Sequence, residues 1–260
     1  MLRVVLPLAV LIWPAFPQVP GNPLQEALAL FNSGRYRECF EVVSPFVQRN
    51  PNSGAAHKLL GMDEFMLGKP REALLEVQRA AELTPDDADA FYYLGRLHFS
   101  TDNAVAALAA FQRAIALDPS SVRAHNQLGQ TYEALGRPAD AERAYLQAIE
   151  QERNQLKKSE WPYYNLGLLY LNSGRSEDAI AYFHQALACN PAFPEAKIKL
   201  AVALSNQKLP NEALKLLEEA VKIDPRNAEA HYRLALLLSK TGKQEEAQQH
   251  FALFQKYRKP

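Results

Sequence analysis

Residues 54–87 read GAAHKLLGMDEFMLGKPREALLEVQRAAELTPDD, and this segment carries the main signals for the architecture. Its apolar residues recur at helical spacing from Ala55 to Leu67 and again from Glu72 to Leu83. Between these two runs lies Gly68-Lys69-Pro70. Gly just past one helix and Pro at the start of the next is the usual asymmetry of helix ends. The segment therefore predicts two short helices joined by a tight turn.

The same pattern recurs along the chain with a period of 34 residues. Three prolines, Pro51, Pro85 and Pro119, are spaced by 34, and so are Pro191 and Pro225. Small residues recur on the first helix of six successive hairpins, and small and large residues recur on the second. These ladders are Gly61, Gly95, Gly129, Gly167, Ala201 and Ala235; Ala73, Ala107, Ala141, Ala179, Ala213 and Ala247; and Val77, Phe111, Tyr145, Phe183, Leu217 and Phe251. Small side chains let two helices approach closely, and the large residue fills the space beside them.

One such hairpin cannot bury its apolar face alone, so neighbouring hairpins must stack. The pattern, Leu60-Gly61 with Ala73, Ala80 and Pro85, resembles the tetratricopeptide repeat family, whose unit is a 34-residue helix–turn–helix. The resemblance implies an all-α fold, a right-handed α-solenoid of antiparallel helix pairs. We expect one solenoid domain over residues 22–260 with about seven repeats. Their predicted bounds are 20–53, 54–87, 88–121, 122–159, 160–193, 194–227 and 228–260.

One spacing departs from the period, because the fourth and fifth repeats are separated by 38 residues. The four additional residues lie within Gln151 to Ser159 and amount to about one helical turn. One interpretation adds this turn to the second helix of the fourth repeat, which would displace the next hairpin. The other is a lengthened loop between the two repeats.

The N-terminus predicts an export signal over residues 1–21. Arg3 precedes an apolar run from Val4 to Phe16, which is too short to span a bilayer but suits the hydrophobic part of a signal peptide. Val19-Pro20-Gly21 offers small residues for cleavage before Asn22. The alternative is an uncleaved segment that anchors the chain to a membrane. We expect a periplasmic or secreted protein.

Composition and residue placement argue against nucleic-acid binding and catalysis. The 29 Lys and Arg balance 29 Asp and Glu, whereas phosphate binding needs a surplus of basic residues. His57, His125 and His231 share one repeat position and lie too far apart to bind one metal ion, so we interpret them as packing residues. Neither a catalytic triad nor a phosphate-binding Gly loop is recognisable. We therefore expect no enzymatic activity, cofactor, metal ion or small-molecule substrate.

The resemblance implies that the first helices line a concave groove, and we predict that a partner peptide or protein segment binds there. Aromatic, amide and basic side chains, which interfaces favour, occupy the groove-facing positions. These are Tyr92, Tyr93, Arg96, Arg123, Asn126, Gln127, Trp161, Tyr164, Asn165, Lys199, Tyr232 and Arg233. Lys199 and Arg233 are suited to binding a carboxylate. The predicted function is a protein-interaction scaffold. The alternative is a structural subunit of a cell-envelope complex that assembles through the ends of its solenoid.

Overall fold

A computed structural model describes residues 22–153, 155–156 and 158–258, and within them it contains fourteen α-helices and no strand. The first helices of the successive hairpins are α1 Pro23–Asn32, α3 Gly54–Met66, α5 Ala88–Ser100, α7 Val122–Ala134, α9 Trp161–Asn172, α11 Pro194–Asn206 and α13 Ala228–Lys240. The second helices are α2 Tyr36–Arg49, α4 Pro70–Leu83, α6 Ala104–Leu117, α8 Pro138–Gln151, α10 Ser176–Cys189, α12 Pro210–Ile223 and α14 Gln244–Tyr257. The predicted all-α fold of stacked hairpins is confirmed. The predicted signal segment, residues 1–21, lies outside the described residues.

The helices form two compact units, one ending at Leu83 and the other beginning at Thr84. In the first unit, α1 packs on α2, α2 on α3 and α3 on α4. In the second unit, each helix from α5 to α14 packs on the next, and the first helices also contact one another, α5 with α7, α7 with α9, α9 with α11 and α11 with α13. The second unit therefore presents a row of five first helices, which we call the first-helix wall.

The glycine ladder lies where the two helices of a hairpin approach most closely. A Cβ atom built on Gly129 would stand 2.4 Å from Tyr145 Cε1, and one on Gly95 would stand 2.6 Å from Phe111 Cε1. Both aromatic rings are fully buried. The large residue predicted to fill the space beside the small ladder therefore packs directly over the glycine of the same repeat.

The turns inside the hairpins require a left-handed residue, which is usually glycine, as at Gly68 with φ of +77°. In two hairpins this position is filled by Asp102 with φ of 58° and Lys208 with φ of 61°. A non-glycine residue adopts this conformation at a cost of about 1–2 kcal/mol. The turn geometry is thus kept even where the residue does not favour it.

The histidines that share a repeat position are structural, as their spacing indicates. Nε2 of His57, His125 and His231 lies 3.0, 3.0 and 3.1 Å from the carbonyl oxygens of Pro51, Pro119 and Pro225. All three imidazoles are buried. Each ties the start of a first helix to the turn before it.

The additional four residues form a loop. Helix α8 ends at Gln151 after 14 residues, the same length as α6 and α10, and α9 begins at Trp161. The interpretation that adds a turn to the second helix of the fourth repeat is therefore wrong, and the lengthened loop is correct. The N–H of Ser159 donates a 2.9 Å hydrogen bond to Glu152 Oε1, which closes the loop on itself.

Candidate binding groove

The predicted groove residues all lie on the first-helix wall, but their exposure differs. Trp161 is 46% exposed, and Arg123 and Tyr232 are also exposed. The partly exposed members are Tyr93, Arg96, Gln127, Tyr164, Lys199 and Arg233. In contrast, Tyr92, Asn126 and Asn165 are only 8%, 7% and 5% exposed. These three side chains are therefore mainly packed between the helices of the first-helix wall and offer little surface to a partner.

The buried amides join two first helices directly. Asn165 Nδ2 on α9 donates a 2.9 Å hydrogen bond to Asn126 Oδ1 on α7. Both amides are therefore partly satisfied inside the protein, as buried polar groups usually are. Asn126 also lines the cavity described next, so part of its hydrogen-bonding capacity remains on that side.

A cavity of about 680 Å³ opens on the first-helix wall across the third, fourth and fifth repeats. Helices α5, α7 and α9 line it together with the turn before α7 and the loop after α8. The side chains that border it are mostly polar: Tyr92, Asp118, Ser120, Ser121, Val122, Arg123, Asn126, Gln127, Gln130, Glu152, Gln155, Ser159, Trp161 and Pro162. The loop that breaks the 34-residue period thus contributes directly to a recess on this wall.

Glu152 is the most unusual residue of the cavity lining. It is only 1% exposed, and Oε1 accepts the Ser159 N–H, but Oε2 has no hydrogen-bond partner among the described residues. Burial raises the pKa of the Glu152 carboxyl, and the Ser159 N–H and the charge of Lys158 oppose this shift. A buried carboxyl oxygen without a partner is costly to the fold, by about 1–3 kcal/mol.

Arg123 supplies the guanidinium among the described residues of the cavity lining, and it is already engaged. Arg123 forms an ion pair with Asp89, which occupies the same position one repeat earlier, and its Cζ lies 4.4 Å from the centroid of the Tyr92 ring. Such stacking fixes the plane of a guanidinium. The charge of Arg123 is therefore balanced within the protein.

Trp161 belongs to an aromatic cluster at the start of α9. Its ring centroid lies 5.1 Å from that of Phe193 and 6.0 Å from that of Tyr164, while Tyr164 and Phe193 are 5.1 Å apart. Burial, reinforced by the carboxylates of Glu229 and Glu195, raises the pKa of Tyr164 to about 12. Tyr164 thus remains neutral and acts as packing for the more exposed Trp161.

Lys199 and Arg233 meet a carboxylate of the chain itself. Lys199 Nζ lies 2.7 Å and Arg233 Nη2 3.6 Å from Glu229 Oε1. Their predicted role, binding the carboxylate of a partner, therefore requires competition with Glu229.

Among the residues of this site that the sequence analysis did not name, Phe193 and Glu152 have the clearest roles. Phe193 occupies the helix-capping position filled by Ser53, Asp87 and Asn227 at the starts of α3, α5 and α13. A large aromatic residue where capping needs a short polar one is a signal that could have found it. Glu152 lies in the irregular segment, where no repeat position indicates burial.

The described residues hold no group of three or more His, Cys, Asp or Glu side chains placed to bind a metal ion. Among these residues, likewise, no helix combines the length and apolarity needed to cross a membrane.

Family models named "Tetratricopeptide repeat" match residues 58–122 and 164–224, 120–192, and 216–249. Together they cover well over half of the sequence. The chain belongs to the tetratricopeptide repeat family. Among relatives, it is 36% identical over 73 residues to the photosystem I assembly protein Ycf3 of Cyanophora paradoxa, covering 26% of this chain and 42% of that one. The matches to such curated relatives span between 12% and 58% of the relatives' own lengths.

Solved structures share the fold of this tetratricopeptide repeat protein. The APC/C hetero-tetramer Cut9–Hcn1 contains a chain with a TM-score of 0.73 and 17% identity, covering 92% of this chain and 46% of that one. YrrB, described as a TPR protein with an unusual peptide-binding site, gives a TM-score of 0.54 and 21% identity, covering 70% and 92%. At these identities the likeness concerns the fold alone.

Proposed function

We propose that this protein is a non-enzymatic scaffold that binds an extended segment of a partner protein on the first-helix wall. The cavity across the third to fifth repeats carries the proposal. It combines an exposed tryptophan with amide side chains, and this pairing of an aromatic anchor with adaptable hydrogen-bonding groups is typical of binding surfaces.

The position of these groups suits a polypeptide segment. Gln127 and Gln130 lie on α7 at the cavity border and remain partly exposed. An amide side chain both donates and accepts hydrogen bonds, so it pairs with a peptide backbone without requiring a particular sequence. Trp161 at the edge of the same recess offers a large apolar surface for one side chain of the segment.

The relatives support an interaction role in general terms. Ycf3 is named for assembly of photosystem I, and YrrB is described by a peptide-binding site. We extend to this chain only the use of stacked repeats as a binding surface.

The test begins with selection of peptides from a displayed random library on the full chain. The affinity of the selected peptides is then measured by fluorescence anisotropy for the parent and for Trp161→Ala combined with Gln127→Ala. An aromatic anchor contributes about 2 kcal/mol or more, so we expect affinity to fall at least about thirtyfold.

The matched control is Leu146→Ala, because Leu146 is 39% exposed but lies on the second helix α8, outside the first-helix wall. The selected peptides should bind Leu146→Ala with the same affinity as the parent. Binding that survives the double change in the groove but is lost in Phe254→Ala, on the last helix α14, would refute the groove proposal. The alternative, assembly through the ends of the solenoid, would then be favoured.

A further inference from the structure

We propose that the cavity on the first-helix wall recognises a positively charged side chain, Lys or Arg, of the bound segment through the carboxylate of Glu152. This inference rests on the proposed function, since it names the chemistry of the segment that binds there. It predicts a cationic residue at one fixed position of every segment bound with high affinity.

The unpaired oxygen of Glu152 supports this inference. Glu152 lines the cavity, is 1% exposed, and leaves Oε2 without a hydrogen-bond partner among the described residues. The Ser159 N–H holds Oε1 at 2.9 Å and fixes the orientation of the carboxylate. A buried carboxylate that keeps one oxygen unpaired beside a cavity is suited to accept a charge-assisted hydrogen bond from a ligand, which would remove the penalty of leaving that oxygen unpaired.

The charge of the cavity lining also supports the inference. Among the described residues, the charged members of the lining are Asp118, Glu152 and Arg123. Arg123 is paired with Asp89. Asp118 Oδ1 accepts hydrogen bonds from the N–H and the hydroxyl of Ser120, which carry no charge. The charge of Lys158 acts on Glu152, but no group of the described residues donates a hydrogen bond to Glu152 Oε2. A cationic ligand is therefore the complementary partner for this oxygen.

The aromatic border of the cavity also suits a long cationic side chain. Trp161 lies at the edge of the same cavity and is 46% exposed, while Phe193 and Tyr164 hold its ring from the other sides. The aliphatic stem of a Lys or Arg packs well on an indole ring, and the charged head is attracted to its face. A long cationic side chain thus satisfies both the apolar border and the buried carboxylate.

The experiment compares peptides selected from a displayed random library on the full chain and on Glu152→Gln. Gln keeps an oxygen for the Ser159 N–H and removes only the charge, so circular dichroism should show the fold unchanged. We expect Lys or Arg to be enriched at one position for the parent and not for Glu152→Gln. The control is Glu150→Gln, because Glu150 is exposed, lies two residues earlier and pairs with Arg153; its selected peptides should match those of the parent.

A selected peptide is then synthesised with its cationic residue as Lys, Arg or Gln and titrated into each variant. For the parent, the change to Gln should weaken binding about tenfold or more, and for Glu152→Gln it should have little effect. The Lys and Arg peptides distinguish an ammonium from a guanidinium ligand.

Two results would overturn the inference, and they differ in what they imply for the proposed function. Peptides whose binding needs Trp161 but shows no Lys or Arg preference and no dependence on Glu152 would refute the cationic recognition and leave the groove function intact. Peptides that bind independently of both Trp161 and Glu152 would refute the two proposals together. If Glu152→Gln does not fold, the affinities of the Lys and Gln peptides for the parent decide the question alone. Equal affinity of these two peptides for the parent refutes the inference.

Discussion

Replacing Gly129 with Ala tests how tightly the two helices of a hairpin are packed. The added Cβ atom would stand 2.4, 2.6 and 2.8 Å from three ring atoms of Tyr145. The ring is fully buried, and its hydroxyl donates a hydrogen bond to a carboxylate oxygen of Glu133. It is held at both ends and cannot turn away, so α7 and α8 must separate.

The expected cost follows from two opposing effects. Overpacking a close-packed core costs about 1–3 kcal/mol. The change from Gly to Ala inside a helix returns up to about 1 kcal/mol. We therefore expect Gly129→Ala to lower the free energy of unfolding by about 1–2 kcal/mol, measured by urea denaturation followed by circular dichroism.

The sixth repeat supplies a matched rescue. There the same two positions hold Ala201 and Leu217, both buried, so an alanine is accommodated when the facing residue is not aromatic. Combining Gly129→Ala with Tyr145→Leu should be less destabilising than the sum of the two single changes, by about 1 kcal/mol. Equal stability of Gly129→Ala and the parent, or strict additivity in the double variant, would show that the close approach of α7 and α8 does not limit the packing.

Two further predictions concern a buried carboxyl and the N-terminus. Asp63 is fully buried, and neither oxygen accepts a hydrogen bond from a nitrogen or oxygen donor of the described residues. Burial raises its pKa to about 6, and a hydrogen bond from the Cys39 thiol opposes this shift. Because the pKa is raised in the folded state, the stability that is present below about pH 4 is lost as pH rises through about 6. Asp63→Ala should therefore stabilise the protein by about 2 kcal/mol near pH 8 and by much less near pH 4, as judged from thermal unfolding at both values. An equal gain at both pH values would contradict this origin. We also predict export with cleavage before Asn22, and N-terminal sequencing of the protein from its native cell would contradict this if it found an intact Met1 in the cytoplasm.

The hairpins were predictable from sequence because the same small and large residues recur at the same positions of successive repeats. Gly61, Gly95 and Gly129 recur at one register, and only a close helix–helix contact explains small residues there. The loop after α8 was not predictable in the same way. A four-residue addition within a polar segment is compatible with another helical turn or with a longer loop, and the structure selects the loop.

The sequence predicted which residues lie on the binding surface, but not how they pair or how far they are buried. Helical spacing placed Asn126 and Asn165 on the first-helix wall, but it could not show that they bond to each other and are largely covered. The same limit applies to Lys199, whose ion pair with Glu229 joins residues 30 positions apart on neighbouring helices. Pairing across repeats depends on the offset between hairpins, which the sequence of one hairpin does not determine.

Three departures from the repeat pattern meet at the start of α9: Trp161, Phe193 and the lengthened loop. Trp161 occupies a position that holds Asp89, Arg123 and Glu195 in other repeats of the same unit, so stacking does not require an aromatic residue there. Phe193 stands where other repeats have a helix-capping residue and packs against Trp161, and the lengthened loop contributes Glu152 to the lining of the cavity that Trp161 borders. Stacking does not need this feature, and it leaves a carboxyl oxygen unpaired at a cost to stability. The residues that break the pattern are therefore those we expect to determine which segment binds.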